Sequence, residues 1–395
     1  MNSPLQTLRK APIDWRLVFM ALVLAVLAGT FHIFSDGIFL SPENLYNIAQ
    51  QTAVVGIVST VMVLVIVARH IDLSVGSVIG FVGVLIAYLQ YTLGWSWPAA
   101  SLAGLGAALL VSLYQGWLTA MLGVPSFVVT LGGLMSLRGA AFLVADGKTQ
   151  PLTDETFLQL GGGYDGAIGV TATWVLAALV CLVLLARAAL RRRATARHDM
   201  PLQALWVDAL RVLVPMLLVL AFAAAMNRYQ IPNKDVPQGI PVPVLIWAAV
   251  AVAVSFISKR TRFGRYVYAM GGNPDAAALV GIPVKRVTLM LFALLGVLIT
   301  IAAIVSVARL NAGTNSLGTG MELFVIAAAV IGGTALAGGS GTIIGSVLGA
   351  LIMQSLDSGM LLLDVSIGKR MVIIGQVLIV AVVFDVLYRK WAQEN

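Results

Sequence analysis

Long apolar runs follow one another along almost the whole chain, and they constrain the fold more than any other feature. A bilayer core of about 30 Å needs about 20 apolar residues in a helix, and backbone in lipid has to satisfy its own hydrogen bonds. By that rule the sequence predicts twelve spans: 17–34, 49–68, 74–93, 97–121, 126–145, 170–188, 212–226, 242–258, 287–308, 322–337, 342–363 and 370–388. We therefore expect an all-α polytopic membrane protein of 10 to 12 helices, with one transmembrane domain over residues 1–395.

Composition supports lipid as the main surroundings of this chain. Hydrophobic residues make up 59% and charged residues 11%, whereas a soluble domain carries about 25% charged residues. The 25 Lys and Arg residues outnumber the 17 Asp and Glu residues, but they lie in short clusters between apolar runs. A nucleic-acid surface would instead combine basic and aromatic residues on one face, so we expect the partner surface to be the lipid bilayer and not nucleic acid.

The basic residues also predict the orientation. With the N-terminus inside, 18 of the Lys and Arg residues fall in cytoplasmic segments and 6 in external ones, while Arg138 lies within a span. This asymmetry follows the positive-inside rule and places both termini in the cytoplasm. The arginine-rich stretch 186–208 is interpreted as a topology anchor. The first apolar run follows Arg9, Lys10 and Arg16 without a small-residue cleavage site, so we expect it to remain in place.

No catalytic or metal-binding pattern is recognisable. The single cysteine, Cys181, excludes an internal disulfide, and the three histidines are far apart. Gly147-Lys148-Thr149 resembles the end of a phosphate-binding loop, but the required upstream glycine is Phe142. We expect no catalytic residue, no metal and no cofactor, so the chain is predicted not to be an enzyme.

Several ionisable residues lie in or near predicted spans, where burial of charge is expensive and functional roles are common. Most fall at span ends, where capping or snorkelling accounts for them. They form no acid relay of the kind a proton-coupled transporter needs. These residues are Asp72, Arg138, Glu322, Asp357, Asp364 and Asp385.

The polar loop 259–286 differs from the other loops because it contains a helix signal. Asn273 can cap a helix, Pro274 suits its first position, Asp275 suits the positive end of the helix dipole, and Gly281 can end it. The pattern predicts a short helix on the cytoplasmic face. An isolated helix of that length is unstable in water, so we expect it to dock onto a partner.

Glycines are concentrated at particular places in the predicted spans. Gly341, Gly345 and Gly349 lie four residues apart, as do Gly76 and Gly80, and such faces let helices approach closely in lipid. The stretch 332–339 has too many glycines for a helix interior. It predicts a break or re-entrant turn that lines a cavity.

Five segments, in order between about residues 40 and 385, resemble landmarks of bacterial ABC permeases for monosaccharides, the ribose, xylose, arabinose and galactoside group. The chain differs from the family's usual pattern at His70, Ala335 and Val280. The matching segments are Ser41 to Ile48, Ile71 to Ser77, Val124 to Leu131 with Arg138-Gly139, Phe263 to Asn273, and Ile331 to Gly339.

The resemblance implies a 10-helix importer core plus two further helices. Residues 171–226 look like a two-helix insertion that shorter ribose-type members lack, which favours the xylose-type members. The implied function is the membrane-spanning permease subunit of an ATP-driven importer in the bacterial inner membrane. The implied partners are cytoplasmic ABC ATPase subunits that bind the ATP, a periplasmic sugar-binding protein and a second permease copy as a homodimer.

The resemblance also implies two groups of functional residues. The loop 259–286 corresponds to the family's ATPase-coupling loop, with Arg262, Gly264, Arg265, Tyr266, Gly271, Gly272, Asn273, Asp275 and Gly281 as coupling residues. Sugar hydroxyls need hydrogen-bond partners but no charge partner. The candidates for the translocation path are Asn47, Gln50, Gln51, Asp72, Ser74, Ser126, Phe127, Thr130 and Asn311.

Two other functions remain open from sequence. The chain could be an ABC permease for another small solute, such as ribose or a branched-chain amino acid. It could also be an ion-coupled secondary transporter that works alone. A membrane-embedded enzyme is disfavoured because no catalytic constellation is present.

Overall fold

The computed structural model describes residues 15–162, 166–197, 205–231 and 236–394, without the side chains of residues 15, 384, 385 and 387–394. Arg9 and Lys10 lie outside this range, as do the side chains of Asp385 and Arg389. Within it the chain is almost entirely helical, and nine helices are long and apolar enough to cross a membrane. The all-α polytopic class is confirmed.

The described residues contain fifteen α-helices, which alternate with short connections. The first eight are α1 (Trp15–Phe34), α2 (Pro42–Val67), α3 (Val75–Tyr91), α4 (Trp97–Leu122), α5 (Ser126–Ala145), α6 (Glu155–Gln159), α7 (Gly169–Arg197) and α8 (Leu205–Arg228). The others are α9 (Val242–Arg260), α10 (Arg262–Gly272), α11 (Pro274–Leu279), α12 (Val284–Leu310), α13 (Met321–Ile331), α14 (Ile343–Leu362) and α15 (Ile367–Glu394). A 3-10 turn covers Ile38–Leu40, and strands β1 (Gln150–Pro151) and β2 (Ala312–Gly313) pair antiparallel.

Helix α2 forms the centre of the bundle. Its most apolar window is 94% buried, and it packs against α9, α12, α13 and α14. A helix that is apolar on all sides is expected in the interior of a large membrane protein. Ser41 caps it, because its Oγ accepts a hydrogen bond from the Asn44 N–H at 3.3 Å, and Pro42 occupies its first turn.

Helices α7 and α8 form a peripheral pair that packs mainly against itself. The pair touches the bundle near one end, where the Tyr229 ring stacks on Tyr46 at 4.1 Å between centroids. At the same end the Thr173 Oγ1 accepts a hydrogen bond from the Ile240 N–H at 3.0 Å. The predicted two-helix segment 171–226 thus forms two helices, and its status as an insertion stays a prediction.

One end of the bundle brings together segments that are far apart in sequence. Arg16 donates to the Gly333 carbonyl at 3.0 Å, and Arg69 donates to the Gly271 carbonyl at 2.7 Å. We call this the inner end, because its segments are those predicted to face the cytoplasm, and the opposite one the outer end. The grouping agrees with the predicted alternation of segments, while the orientation in the membrane stays a prediction.

The predicted span 322–337 is not one continuous helix. Helix α13 covers 11 residues, about 16 Å at 1.5 Å per residue, which is roughly half of a bilayer core. The preceding residues 312–320, here called the re-entrant segment, run along α3 from the outer end toward the middle of the bundle. Gly313 lies against Ala87 and Val84, whereas Gly318 lies against Gly76.

The glycine faces are used for close packing, as expected. A Cβ atom built on Gly76 would overlap the Gly318 carbonyl, and one on Gly80 would approach the Leu317 carbonyl. A Cβ on Gly349 would overlap the carbonyl of Ala328 in α13. The predicted break is also present: α13 ends at residue 331 and the next helix begins only at residue 343.

Candidate functional site

A polar cavity of about 270 Å³ lies in the outer half of the bundle. It is lined by helices α2, α12, α13 and α14 and by the re-entrant segment. Such a volume is just below the range of about 300–1,000 Å³ for pockets that hold drug-sized ligands. Its polar and charged lining consists of Gln51, Ser306, Arg309, Thr314, Ser316, Thr319, Gln354 and Asp357.

Two of the polar contacts at this cavity join different helices. The Gln354 Nε2 donates to the Gln51 Oε1 at 2.5 Å, which connects α14 to the central helix α2. Asp357 forms an ion pair with Arg370 of α15. The carboxylate of Asp357 is therefore neutralised within the protein.

Two further groups at the cavity lack a hydrogen-bond partner among the described residues. They are the Ser306 hydroxyl and the Nε of Arg309, both buried and both on α12. Buried polar atoms are nearly always hydrogen-bonded in native proteins. Both atoms are inaccessible to solvent in this structure, whereas Gln51 and Gln354 contribute carboxamide groups to the cavity lining.

Arg138 holds the re-entrant segment in place. Its Nη1 donates to the carbonyls of Asn315 at 3.1 Å and Leu317 at 2.8 Å. Irregular backbone at membrane depth needs such partners, because its carbonyls are not satisfied within a helix. The arginine within a predicted span therefore supports one wall of the cavity.

The segment Ile71 to Ser77, one of the five that resemble the permease family, packs against α5 at the inner end. The Ser126 Oγ accepts from the Ile71 N–H, and the Thr130 Oγ1 accepts from the Leu73 N–H, both at 3.1 Å. The Asp72 Oδ1 accepts from the backbone N–H of Ser74 at 2.6 Å and from its hydroxyl at 2.7 Å.

Burial raises the pKa of the Asp72 carboxyl to about 6, against the lowering effect of the Ser74 bonds. Four path candidates, Asp72, Ser74, Ser126 and Thr130, therefore shape this loop.

The remaining path candidates lie in different places. Gln51 lines the outer cavity, but its neighbour Gln50 is buried and donates to the Gly162 carbonyl. Asn47 and Asn311 are exposed. Phe127 lines a separate cavity of about 320 Å³ at the inner end.

Sequence reasoning missed Ser306, Arg309 and Gln354 as cavity residues. Ser306 and Gln354 are polar residues within apolar runs, and that contrast was the available signal. Arg309 was interpreted only as an external topology charge. Asp357 is among the ionisable residues named from sequence, without a predicted role at the cavity.

The predicted coupling residues lie on two short helices at the inner end. The expected helix is present as α11, and the Asn273 side chain caps it by accepting from the Ala276 N–H at 3.0 Å. Gly281 has a φ of +84° just beyond it. Residues Arg262 to Gly272 form the additional helix α10.

Two glycines let α10 approach its neighbours. A Cβ on Gly264 would overlap the Ser258 carbonyl at the end of α9, and a Cβ on Gly271 would overlap the Val67 carbonyl at the end of α2. The other predicted coupling residues are accessible: Tyr266 is partly exposed, whereas Arg262, Arg265, Gly272, Asn273 and Asp275 are exposed.

Comparison with known proteins gives one consistent result. Residues 44–382 match the family described as branched-chain amino acid transport system / permease component. The chain is 36% identical over 378 residues to the xylose transport system permease protein XylH of Haemophilus influenzae, a match that covers 96% of this chain and 98% of the relative.

Two further relatives extend the comparison. The chain is 37% identical over 371 residues to XylH of Escherichia coli K12, covering 93% of this chain and 91% of the relative. It is 31% identical over 348 residues to the ribose import permease protein RbsC of the same strain, a match that covers 88% of this chain and 87% of the relative. No solved structure matches the chain.

Proposed function

The chain belongs to the family of branched-chain amino acid transport system permease components, and on that premise we propose that it is the permease subunit of an ATP-driven importer for D-xylose. It is a multi-pass membrane protein, placed by this proposal in the bacterial inner membrane. The single observation that carries the proposal is the polar cavity of about 270 Å³ among membrane-crossing helices.

The lining of the cavity disfavours a solute that carries an ammonium group. A sugar presents hydroxyl groups, which can donate to the carboxamide oxygens of Gln51 and Gln354 and accept from their N–H groups. A branched-chain amino acid also needs an anionic partner for its ammonium group. Asp357 is the acidic residue of the lining, and its carboxylate is already paired with Arg370. The xylose permeases among the relatives point in the same direction.

Helix α11 is the proposed seat of the ATPase subunit. Its end carries two apolar side chains that are almost fully exposed, Leu279 at 88% and Val280 at 78%. Exposed apolar side chains on a short capped helix are typical of a docking surface. The proposal assigns ATP binding to the separate ATPase subunits, and this chain contributes the path.

Helix α2 connects the proposed docking site to the cavity. Just beyond its inner end, Arg69 contacts the end of α10, while Gln51 lines the cavity about 24 Å from Val67 along the helix at 1.5 Å per residue. A displacement of α10 on ATP binding would therefore reach the cavity through one rigid element. Alternating access then follows if ATP binding favours one of two packings of the bundle.

The resemblance supplies the other proposed partners. A periplasmic sugar-binding protein would deliver the sugar at the outer end, and a second permease copy would complete a homodimeric path. The outer cavity is the place where a delivered sugar would first be bound.

Uptake by proteoliposomes tests the proposal. The chain is reconstituted with its ATPase subunit and binding protein, and uptake of labelled xylose, ribose and leucine is compared with and without internal ATP. We expect ATP-dependent xylose uptake, reduced at least several-fold by Gln51→Ala, with ATPase assembly unchanged. Uptake without the ATPase would establish a secondary transporter, and faster leucine uptake would establish an amino acid permease.

A further inference from the structure

A groove of about 720 Å³ lies at the inner end. Helix α7 forms one side of it, and α9 and α14 form the other. Its walls are mainly apolar, and much of their surface is exposed: Val252 is 70% exposed, Phe256 62% and Leu190 62%. The groove continues toward the first turn of α14, where Ile343 and Ile344 line it. It is separate from the polar cavity in the outer half.

Four basic residues lie along the rim of this groove: Arg187, Arg191, Lys259 and Arg260. Arg187 and Arg191 are four residues apart and so share one face of α7. The lining contains no acidic residue, and among the described residues none of the four forms an ion pair with an Asp or Glu. The charge of this rim is therefore uncompensated within the described protein.

The neighbouring arginine on α7 behaves differently. Arg192 points to the partner helix α8 and forms an ion pair with Asp208 at 2.8 Å. The arginine cluster is thus divided between the two sides of the helix. One side fastens α7 to α8, and the other faces the groove.

The position of the groove matches the shape of a phospholipid. The basic residues lie in the C-terminal part of α7 and at the C-terminal end of α9, where the apolar runs stop. The exposed apolar walls extend from there into the span. A ligand that fits has a negative head and a long apolar body. Basic pockets between membrane helices on the cytoplasmic side are known to bind anionic head groups.

We propose that this groove binds one anionic diacyl phospholipid, with its phosphate on Arg187, Arg191, Lys259 and Arg260 and an acyl chain between α7 and α9. Such a lipid also has a structural consequence. The direct contacts described above between the α7–α8 pair and the bundle lie at the outer end, at Tyr229 and Thr173. The lipid completes the packing at the inner end. The proposal is independent of the transported solute.

Native mass spectrometry of the full-length detergent-solubilised chain tests the proposal. The chain is titrated with dioleoyl phosphatidylglycerol or dioleoyl phosphatidylcholine, and the fraction with one lipid bound is measured. We expect a clear preference for phosphatidylglycerol. The double substitution Arg187→Gln, Arg191→Gln should weaken that binding about 30-fold, equivalent to about 1 kcal/mol for each basic residue.

The matched control removes the same charge from the same helix. Arg193 and Arg197 are exposed on α7 but do not line the groove, so Arg193→Gln, Arg197→Gln should leave the affinity unchanged. An Arg187→Lys, Arg191→Lys chain keeps the charge and should retain most of the binding, which separates lost binding from lost folding.

Three results would overturn the proposal. Equal binding of the two lipids would show only unspecific lipid around the bundle. Equal weakening by the control pair would show a general charge effect. Displacement of phosphatidylglycerol by excess inorganic phosphate would show a site for free phosphate.

Discussion

Arg69 provides the most direct test of how α10 is held at the inner end. Its Nε donates to the Gly271 carbonyl at 2.7 Å and its Nη2 to the Gly272 carbonyl at 2.6 Å. These carbonyls belong to the last turn of α10, which intrahelical bonds leave unsatisfied. A cation at this end of a helix also interacts favourably with the helix dipole.

The magnitude follows from the two bonds and their exposure. A hydrogen bond to a charged group contributes about 1.5–3 kcal/mol, but Arg69 is exposed and solvent screens exposed charges. We therefore expect about 1–2 kcal/mol for the pair, so Arg69→Met should favour detachment of α10 about 5- to 30-fold. Methionine keeps the apolar stem and removes only the donors.

Amide hydrogen exchange of residues 262–272, which form α10, measures this detachment. Exchange in Arg69→Met should be faster by the same 5- to 30-fold factor, while Lys285→Met, an exposed basic residue at the same end, should leave it unchanged. If exchange in Arg69→Met equals that of the unmodified chain, the two bonds do not hold α10 and the transmission route through α2 is wrong.

Two further predictions concern packing and pH. Gly349→Leu should lower the midpoint of thermal unfolding, because the new Cβ would overlap the Ala328 carbonyl and overpacking costs about 1–3 kcal/mol. Gly375→Leu is the control: nothing lies within 4 Å of a Cβ built on Gly375, so the midpoint should stay unchanged.

Burial lowers the pKa of His70 to about 4, below the value of about 6.5 of an unfolded chain. Between these values the unfolded chain binds the extra proton, so the His70 contribution to the free energy of unfolding should fall by about 2 kcal/mol from pH 6.5 to pH 5. The raised pKa of Asp72 acts in the opposite direction, so this contribution is measured as the difference in pH dependence between the unmodified chain and His70→Gln. His70→Gln should remove the His70 contribution to this pH dependence. The same pH dependence in both chains would contradict the lowered pKa of His70.

The elements that were predictable from sequence are those with a strong local signal. The continuous apolar run of α2 requires burial on all sides, and the Asn273-Pro274-Asp275 cap starts a helix in any surroundings. The break after α13 follows from the low helix propensity of its glycines. In each case the cause lies within a few neighbouring residues.

Other features depend on partners far away in sequence. Helix α10 contains Gly264, Gly271 and Gly272, which disfavour a helix locally; close approach to α9 and α2 favours one instead. The re-entrant segment reads as an ordinary polar loop, because its stabilising partner Arg138 is 177 residues from Asn315.

The candidate site shows the same limit at the scale of one residue. Gln50 and Gln51 are both plausible on composition, but neighbouring residues of a helix point about 100° apart. Only Gln51 faces the cavity, while Gln50 contacts the Gly162 carbonyl. Which of the two lies inward is decided by the rotation of α2 in the assembled bundle, and the apolar run around it leaves that rotation open.

The long separation between Arg138 and its carbonyl partners has a consequence for biogenesis. A ribosome that adds about 5–20 residues per second emits Asn315 roughly 10–35 s after Arg138, given the 177 intervening residues. Throughout that interval the guanidinium of a newly inserted α5 has none of its final acceptors. Until α13 and the re-entrant segment are inserted, the insertion machinery or transient water has to solvate this charge. The packing of residues 312–331 against Arg138 is therefore a late step in the maturation of the protein.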